Sequence, residues 1–346
     1  MQAVVLTEPY KLLYQDMPIP KVNKDGVLIK MVYCGICGSE LHAFIGKHPL
    51  RMPPVILGHE FSGIISELGA DVDKYKVGDA VTVFPLIGCG KCKDCYQGEE
   101  NLCDDKFILG SQKWPGPFAQ YVTAPADRVY LLPREVDFAV GALIEPLAVG
   151  LHAVRNAEVT LGDRVAVLGA GTIGLCIALL AAEAGATTVI ATDVQSFNLN
   201  KALELGATHA FDACDCELLS KVDAVCGGAG CDVVFVAAGA PQLINQGIKM
   251  LRKKGKLMVV AMYDEPLPVD IMATRAVEKI ITGTKMYLPD DFRRIIDLIA
   301  TKKIDPRSLI THTFSLKDAA KAFDLYVNRV PGIVKILLKN EDLKDI

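Results

Sequence analysis

A glycine-rich turn constrains the fold of this chain more than any other feature of its sequence. The segment 169-GAGTIG-174 follows the apolar run RVAVL and opens the helix-like stretch LCIALLAAEAG. Gly169 permits a tight turn, Gly171 lets the backbone approach a pyrophosphate, and Gly174 lets the helix pack closely against the strand. The N-terminus of such a helix presents free N–H groups to phosphates. The turn therefore predicts a dinucleotide-binding unit.

The sequence around this turn alternates between strands and helices. Between residues 149 and 287 the apolar runs RVAVLGA, TVIATD, DVVFVAAG and KLMVVAMY are separated by helical stretches, which is typical of a parallel sheet built from βαβ units. Residues 165–182 approach the ~18 apolar residues that span a bilayer, but interrupting glycines favour strand, turn and buried helix. The run 252-RKKGK-256 is interpreted as a solvated helix end and turn.

An acidic residue indicates which dinucleotide binds. Asp193 ends the run TVIATD, where its carboxylate can accept hydrogen bonds from an adenosine ribose. The next residues, VQS, include no Arg or Lys to receive a 2′-phosphate, which favours NAD over NADP. The alternative is a glycine-rich turn followed by an Asp that caps a helix. The predicted cofactor-binding residues are Gly169, Gly171, Thr172, Ile173, Gly174 and Asp193.

The first part of the chain has a different sequence pattern. Residues 1–148 contain short β-branched runs such as AVVL and GVLIKMVY, separated by Gly, Pro and Asp, which predict a β-rich, barrel-like domain. The tail holds two helical stretches, DFRRIIDLIATKK and SLKDAAKAFDLYVN, and the strand GIVKILL, and we expect it to return to this first domain. The predicted domains are therefore 1–148 with 288–346, and 149–287.

Four cysteines have the spacing of a metal site. The segment 89-CGKCKDC-95 is followed by Cys103, and its cysteines lie too close together to pair freely as disulfides. A tetrahedral zinc ion about 2.3 Å from each sulfur suits such a loop. The net charge of −4 provides no basic patch for a zinc module that binds nucleic acid. The sequence predicts a structural zinc site at Cys89, Cys92, Cys95 and Cys103.

The N-terminal sequence and the cysteines indicate a compartment. The start, MQAVVLTEPYKLLYQ, reaches acid and proline too soon for a signal peptide. Without a secretory context, the cysteines are interpreted as thiols or metal ligands in a reducing cytoplasm. We therefore expect a cytoplasmic protein with no membrane or nucleic-acid partner.

A second set of metal-ligand residues is dispersed over the β-rich region. Cys37 in CGICGSELH offers a thiolate and His59 in GHE an imidazole, while Glu60 or Glu145 offers a carboxylate. Three protein ligands and one open position are what a catalytic zinc requires. Neighbouring residues of an extended segment point to opposite faces, so His59 and Glu60 reach one ion only if the backbone kinks. Spacing alone leaves the choice of glutamate open.

These motifs resemble those of a known family. CGICGSELH, GHEFSG, CGKCKDC, IEPLAVGLHA and VLGAGTIG are similar, in order and spacing over nearly the whole chain, to the zinc-containing medium-chain dehydrogenase/reductase family. Glu145 stands where alcohol dehydrogenases of the family carry a cysteine ligand, which resembles the polyol branch of sorbitol, butanediol, threonine and galactitol-phosphate dehydrogenases. The resemblance implies an α/β fold, with a GroES-like β-rich catalytic domain and a Rossmann domain whose parallel sheet is doubly wound. It also implies a homo-oligomer, either a dimer or a tetramer.

The resemblance implies roles for individual residues. It gives Cys37, His59 and Glu60 as zinc ligands, with Glu145 close by or exchanging onto the metal. Ser39 resembles the first hydroxyl of a proton relay, and His42 resembles its outer base.

Two features near these residues need interpretation. Glu40 replaces an aspartate that usually hydrogen-bonds the zinc-bound histidine, and its longer side chain could shift that histidine. Lys47, His48 and Arg51 are interpreted as a hydrated surface cluster, the alternative being contact with an anionic group of the substrate.

The sequence thus predicts an oxidoreductase that depends on NAD and on two zinc ions per subunit. It would transfer hydride between NAD and a small-molecule secondary alcohol, such as a polyol, a sugar alcohol or its phosphate, a cyclitol or a diol, giving the ketone. The alternative is an amino-alcohol oxidation like that of L-threonine 3-dehydrogenase. A nucleic-acid-binding zinc protein explains only CGKCKDC, and a non-catalytic dinucleotide-binding protein leaves Cys37 and His59 without a role.

Overall fold

The amino-terminal part of the chain is dominated by β-strands, as its β-branched runs predict. A computed structural model describes residues 1–342. Two units are distinguished: the first contains Met1–Glu145, Leu288–Lys302 and the segment from Ile310 onward, and the second contains Pro146–Tyr287 and Lys303–Leu309.

The elements up to residue 157 are ten strands, most of them short, and four helices, of which α4 is the longest. The strands are β1 (Gln2–Glu8), β2 (Lys11–Asp16), β3 (Gly26–Gly35), β4 (Val55–Ile56), β5 (Glu60–Leu68), β6 (Ala80–Val83), β7 (Leu86–Ile87), β8 (Phe107–Ile108), β9 (Tyr121–Pro125) and β10 (Val129–Leu131). The helices are α1 (Gly38–Phe44), α2 (Lys93–Tyr96), α3 (Phe138–Gly141) and α4 (Ile144–Ala157), with 3-10 turns at Glu100–Leu102 and Ala126–Arg128.

The second unit is a six-stranded parallel sheet with helices between its strands. Its strands lie in the order β13-β12-β11-β14-β15-β16, so the chain direction along the sheet reverses at the β11–β14 boundary. This is the strand order of a Rossmann sheet, in which ligands bind at the carboxyl ends of the strands beside that boundary. The elements are β11 (Arg164–Leu168), α5 (Thr172–Glu183), β12 (Thr188–Asp193), α6 (Ser196–Glu204), β13 (His209–Asp212), α7 (Leu218–Val225), β14 (Cys231–Val236), α8 (Leu243–Met250), β15 (Leu251–Val259), α9 (Ile271–Arg275) and β16 (Ile280–Gly283).

The tail supplies the last strands of the first unit. Its elements are α10 (Pro289–Ala300), β17 (Ile310–Ser315), α11 (Ala319–Val327) and β18 (Lys335–Lys339), with 3-10 turns at Arg307–Leu309 and Leu316–Asp318. β18 pairs antiparallel with β3, and β17 pairs parallel with β18. The seven-stranded sheet therefore has the order β10-β6-β5-β3-β18-β17, with β9 also paired to β3. Separate small sheets contain β2-β1-β4 and β7-β8.

Three details differ from the sequence-based expectation. The interpretation of 252-RKKGK-256 as a helix end is wrong, because α8 ends at Met250 and Leu251 already pairs with Cys231 in the parallel ladder of β14 and β15. The short strand β13 and the helix α7 were not predicted. Residues 303–309 group with the second unit, where the 3-10 turn in that segment contacts α6. Among the described residues, no helix combines the length and the apolar character needed to cross a membrane.

Candidate functional site

His59 is the centre of a buried cluster of ligand-type side chains in the first unit. It directly precedes β5, and Gly58, at a φ of +98°, bends the chain just before it. A Cβ atom on Gly58 would lie 2.7 Å from the Phe118 ring, so only glycine fits this bend. The ligand atoms of His59, Glu60 and Glu145 lie within 4.8 Å of one another. The fold thus brings both glutamates to the histidine, although alternation along a regular strand would separate Glu60 from His59.

Glu40 holds one nitrogen of the His59 ring. Its Oε1 lies 2.5 Å from His59 Nδ1, and its Oε2 accepts a hydrogen bond of 2.8 Å from the backbone N–H of Cys37. Burial alone would raise the pKa of the Glu40 carboxyl, but the positive charges of His59 and Arg51 hold that pKa well below its usual range. An ionised Glu40 accepts a hydrogen bond from Nδ1–H, which leaves Nε2 as the metal-binding nitrogen. Nε2 lies 3.7 Å from Glu145 Oε1.

Cys37 adds a thiol to the same cluster. It immediately precedes α1 with an extended backbone, at φ −98° and ψ 159°. Its Sγ, a His59 nitrogen and a Glu40 oxygen lie within 4.8 Å of one another. Because His59 also belongs to the set with Glu60 and Glu145, the site offers a thiol, an imidazole and a glutamate carboxylate, a donor set that zinc accepts with a fourth position for a substrate. The residues at this cluster therefore fit a catalytic zinc.

Glu60 is held by a lysine that the sequence analysis missed. Lys335, in β18, places Nζ 2.9 and 2.7 Å from the two Glu60 oxygens and donates a third hydrogen bond, of 3.1 Å, to the Ile36 carbonyl. Glu60 is 0% and Lys335 2% exposed. Burial alone would lower the pKa of Lys335, but the Glu60 charge raises it above its usual range. The available signal was a lysine inside the apolar strand GIVKILL.

The two predicted proton-relay residues lie on α1, just after Cys37. Ser39 is in its first turn and His42 in its last, and a spacing of three residues places them on one side of the helix. Ser39 Oγ accepts a hydrogen bond of 2.5 Å from a terminal nitrogen of Arg51. Arg51 is 3% exposed, so its interpretation as part of a hydrated surface cluster is wrong. Lys47 is exposed.

The four clustered cysteines converge around α2. Their sulfur atoms all lie within 4.8 Å of one another. The backbone N–H of Cys95 donates to Cys92 Sγ at 3.4 Å, and that of Cys89 donates to Cys103 Sγ at 3.3 Å. The backbone N–H of Lys91 lowers the pKa of Cys89 to about 7. Unpaired thiols held together by N–H···S bonds form the closed donor set of a structural zinc.

The glycine-rich turn has the geometry that a dinucleotide needs. Gly169, at the carboxyl end of β11, has a φ of +100°. A Cβ atom on Gly174 would lie 1.8 Å from the Gly169 carbonyl oxygen, so α5 packs too closely for any side chain there. A Cβ atom on Gly171 would meet no atom within 4 Å, so the space before the α5 N-terminus is open. This opening fits a pyrophosphate bound by backbone N–H groups. Thr172 and Ile173 are the first residues of α5.

Asp193 ends β12 and contacts the same turn. Its Oδ2 accepts a hydrogen bond of 2.8 Å from the Ala170 N–H, and its Oδ1 accepts from the Gln195 N–H at 2.8 Å and from the Asn198 side chain at 3.3 Å. The alternative role as a helix cap does not account for these contacts, because Gln195 is the N-cap residue of α6 and Ala170 lies in the glycine-rich turn. A carboxylate has about four acceptor positions, so Asp193 retains capacity for a ribose hydroxyl.

Two family models match the parts of the chain that contain most of these site residues. Residues 23–134 match the model of the alcohol dehydrogenase GroES-like domain, and residues 172–301 match that of the zinc-binding dehydrogenase. The sorbitol dehydrogenase of Halalkalibacterium halodurans is 37% identical over 328 residues, which are 94% of this chain and 94% of that protein.

Solved structures of dehydrogenases are also similar to this chain. The 2R,3R-butanediol dehydrogenase of Bacillus subtilis has a TM-score of 0.91 and 30% identity, covering 98% of this chain and 99% of that one. A protein of Sinorhizobium meliloti 1021, solved with bound NADP, has a TM-score of 0.90 and 33% identity, covering 98% of both chains. The predicted fold class and family are confirmed. The chain belongs to the polyol dehydrogenase branch of the zinc-containing medium-chain dehydrogenase/reductase family, and it is an alcohol dehydrogenase that uses zinc and a nicotinamide cofactor.

Proposed function

We propose that this enzyme oxidises a secondary alcohol of the polyol class to the ketone, with NAD as the hydride acceptor. The observation that carries the proposal is the convergence of Cys37 and Glu145 on the buried His59, whose Nδ1 is occupied by Glu40. The sorbitol and butanediol dehydrogenases that resemble the chain support this substrate class.

The family resemblance implies Glu60 as the third resting ligand of the catalytic zinc and Glu145 as the exchanging one; we propose the reverse, with Cys37, His59 and Glu145 as the resting ligands. Glu60 is the exchanging ligand, because the Lys335 ammonium is bound to both of its carboxylate oxygens and competes with a metal cation for them. When bound, zinc supplies a Lewis acid for the alcohol oxygen and NAD supplies the hydride acceptor.

The remaining chemistry belongs to side chains of α1. In the proposed path, Ser39 Oγ accepts the proton that the alcohol hydroxyl loses and gives up its own hydroxyl proton toward His42, and His42 in turn releases a proton to water. Replacing Ser39 with Ala is expected to lower kcat by about 100-fold or more, since general acid–base groups contribute about that much. Zinc content, measured by elemental analysis, stays the same. Unchanged turnover of Ser39→Ala removes this residue from the mechanism.

We propose NAD rather than NADP as the physiological cofactor. The support is Asp193, whose negative charge lies beside the glycine-rich turn, together with the lack of a basic residue among the three that follow it. The similar Sinorhizobium protein was solved with NADP, so the two cofactors must be compared directly. A higher kcat/KM with NADP than with NAD contradicts the proposed role of Asp193.

We also propose that the chain forms a homo-oligomer, a dimer or a tetramer. β16 is the last strand of the parallel sheet and pairs with β15 alone within residues 1–342. Ile280 on this strand is 50% exposed, and Ile271 on α9 is 64% exposed. An unpaired apolar edge is a surface that a second copy can cover. Light scattering of the purified protein tests this proposal.

The domain roles and the compartment are further proposals. Residues 1–148 and 288–346 would form the zinc catalytic domain, and residues 149–287 the NAD-binding domain. A cytoplasmic location and the lack of a nucleic-acid partner stay predictions from composition and charge.

A spectrophotometric screen tests the function as a whole. NADH formation is followed with polyols, phosphorylated polyols, cyclitols, short diols and threonine as substrates. Elemental analysis of the same sample is expected to give two zinc ions per chain. Turnover of polyols or diols supports the proposal, and turnover of threonine alone favours the amino-alcohol alternative. Protein with two zinc ions that forms no NADH from any alcohol contradicts the proposal.

A further inference from the structure

A buried arginine links the Ser39 hydroxyl to the support of the metal centre. One terminal nitrogen of Arg51 lies 2.5 Å from Ser39 Oγ and 3.6 Å from Glu40 Oε1. The other terminal nitrogen donates to the Leu109 carbonyl at 3.3 Å. With 3% of its surface exposed, the guanidinium has little freedom to adopt another position. Arg51 therefore fixes Ser39 relative to two separate parts of the first unit.

The contact with Ser39 is the shorter of the two that this nitrogen makes. Glu40 already has other partners for both oxygens, His59 Nδ1 for one and the Cys37 N–H for the other. Glu40 thus keeps its orientation through these bonds. Ser39 is different, because its described side-chain partner is Arg51. The side chain that depends most on Arg51 for its orientation is therefore Ser39.

The direction of this hydrogen bond has a chemical consequence. A guanidinium has only donors, so Ser39 Oγ must accept from Arg51. A hydroxyl has two acceptor lone pairs and one proton. Once Arg51 occupies one lone pair, the proton and the second lone pair are confined to the two remaining tetrahedral directions of the oxygen. A hydroxyl in a fixed orientation can accept a proton on one side and donate its own on another without first rotating.

We propose that Arg51 is a positioning residue for proton transfer, which holds the Ser39 hydroxyl in the orientation that accepts the alcohol proton. The inference rests on the proposed function of Ser39. Arg51 acts through Ser39 and not on the reacting atoms. A planar guanidinium with two terminal nitrogens can bind Ser39 and the Leu109 carbonyl at once, whereas a lysine ammonium is a single point donor.

A double-mutant cycle tests the proposal on the zinc-loaded enzyme. The variants are Arg51→Met, Ser39→Ala and the combination, with Arg293→Met as the matched control, because Arg293 is an exposed arginine on α10 of the same unit. Arg51→Met is expected to lower kcat by about tenfold or more, a part of the 100-fold or larger effect of a general acid–base group. KM for the alcohol changes by less than about threefold, because the residue does not bind substrate. The solvent deuterium isotope effect on kcat rises, because proton transfer becomes slower.

The decisive comparison is the effect of Arg51→Met when Ser39 is already absent. If Arg51 acts through Ser39, the second substitution lowers kcat by less than about twofold in the Ser39→Ala background, since residues that act as one unit are not additive. An equal loss in both backgrounds overturns the proposal, because Arg51 then acts elsewhere. A kcat of Arg51→Met equal to that of Arg293→Met overturns it as well. If Ser39→Ala itself turns over normally, the proposed relay fails, and the role of Arg51 fails with it.

A readout independent of turnover accompanies the cycle. In zinc-stripped protein, Arg51→Met is expected to lower the urea midpoint more when Ser39 is present than when it is Ala, because the hydrogen bond is lost only in the first case. Arg51→Lys covers the case in which Arg51→Met is too unstable to assay. It keeps the charge but not the second terminal nitrogen, so its kcat is expected to lie between those of wild type and Ser39→Ala. An Arg51→Lys enzyme with the kcat of wild type contradicts the positioning role.

Discussion

The buried ion pair between Glu60 and Lys335 allows a prediction whose size follows from the structure. Replacing Lys335 with Met removes the ammonium and keeps a side chain of similar length. The substitution deletes the hydrogen bonds of 2.9 and 2.7 Å to the two Glu60 oxygens and the bond of 3.1 Å to the Ile36 carbonyl. Since Glu60 is 0% exposed, water cannot replace the lost partner. The protein is left with an uncompensated buried carboxylate.

The expected cost follows from measurements on buried pairs in general. Removal of one partner of a buried ion pair costs about 3–5 kcal/mol, because the other charge remains desolvated. At an m-value of roughly 2 kcal/mol/M, the urea midpoint falls by about 1.5–2.5 M. Adding Glu60→Gln recovers a large part of this loss, because the double variant buries no unpaired charge. Lys11→Met is the control: Lys11 pairs with Glu8 on the surface of the same unit, and such exposed pairs contribute about 0–1 kcal/mol.

The assay is urea unfolding followed by the fluorescence of the single tryptophan. Trp114 is buried in the core of the first unit, so its signal reports on the unit that contains the ion pair. A chelator is present in all samples, so that no metal competes for Glu60. A Lys335→Met midpoint within experimental error of the Lys11→Met midpoint refutes the reasoning. So does a double variant that is less stable than Lys335→Met alone.

Three further predictions concern the dinucleotide turn, the cysteine site and the pH dependence of stability. Gly171→Ala is expected to fold normally, because its Cβ would meet no atom within 4 Å, but to bind NADH more weakly in a fluorescence titration. Gly174→Ala is expected to lose stability as well, because its Cβ would lie 1.8 Å from a carbonyl oxygen. Cys95→Ser is expected to lower the zinc content from two ions per chain to one, with the remaining ion at the His59 centre. Burial alone would raise the pKa of Asp232, but hydrogen bonds from Arg164 lower it to about 2. The contribution of ionised Asp232 to the stability of the folded protein is therefore complete above about pH 4, which is the pKa of this group in the unfolded chain. This contribution is lost as the pH falls toward 2. Over that pH range the thermal midpoint of Asp232→Asn is therefore expected to fall less steeply than that of the wild-type protein.

The features of the two sites that the sequence predicts are formed by residues that lie close together in the chain. The turn at residues 169–174 needs glycine for reasons that lie within one strand and one helix, and CGKCKDC places three ligands within a single loop. The pair of Glu60 and Lys335 joins positions 275 apart, and the pairing of β3 with both β5 and β18 brings them together. The strand β13 was missed because His209–Asp212 is an edge strand without buried residues, and it carries no alternating apolar pattern.

Glu40, which replaces the aspartate usual in the family, shows that partners distant in the sequence determine the structural effect of a substitution. That the longer side chain of Glu40 shifts His59 stays a prediction. In the structure Glu40 keeps contact with His59 Nδ1 and also binds the Cys37 N–H, while Arg51 lies 3.6 Å away. A buried carboxylate needs partners for both oxygens, and the site supplies them from three different segments. Arg51 lies 12 residues from Ser39 in the sequence, and only the fold buries its guanidinium between Ser39 and Glu40, where it can orient the Ser39 hydroxyl.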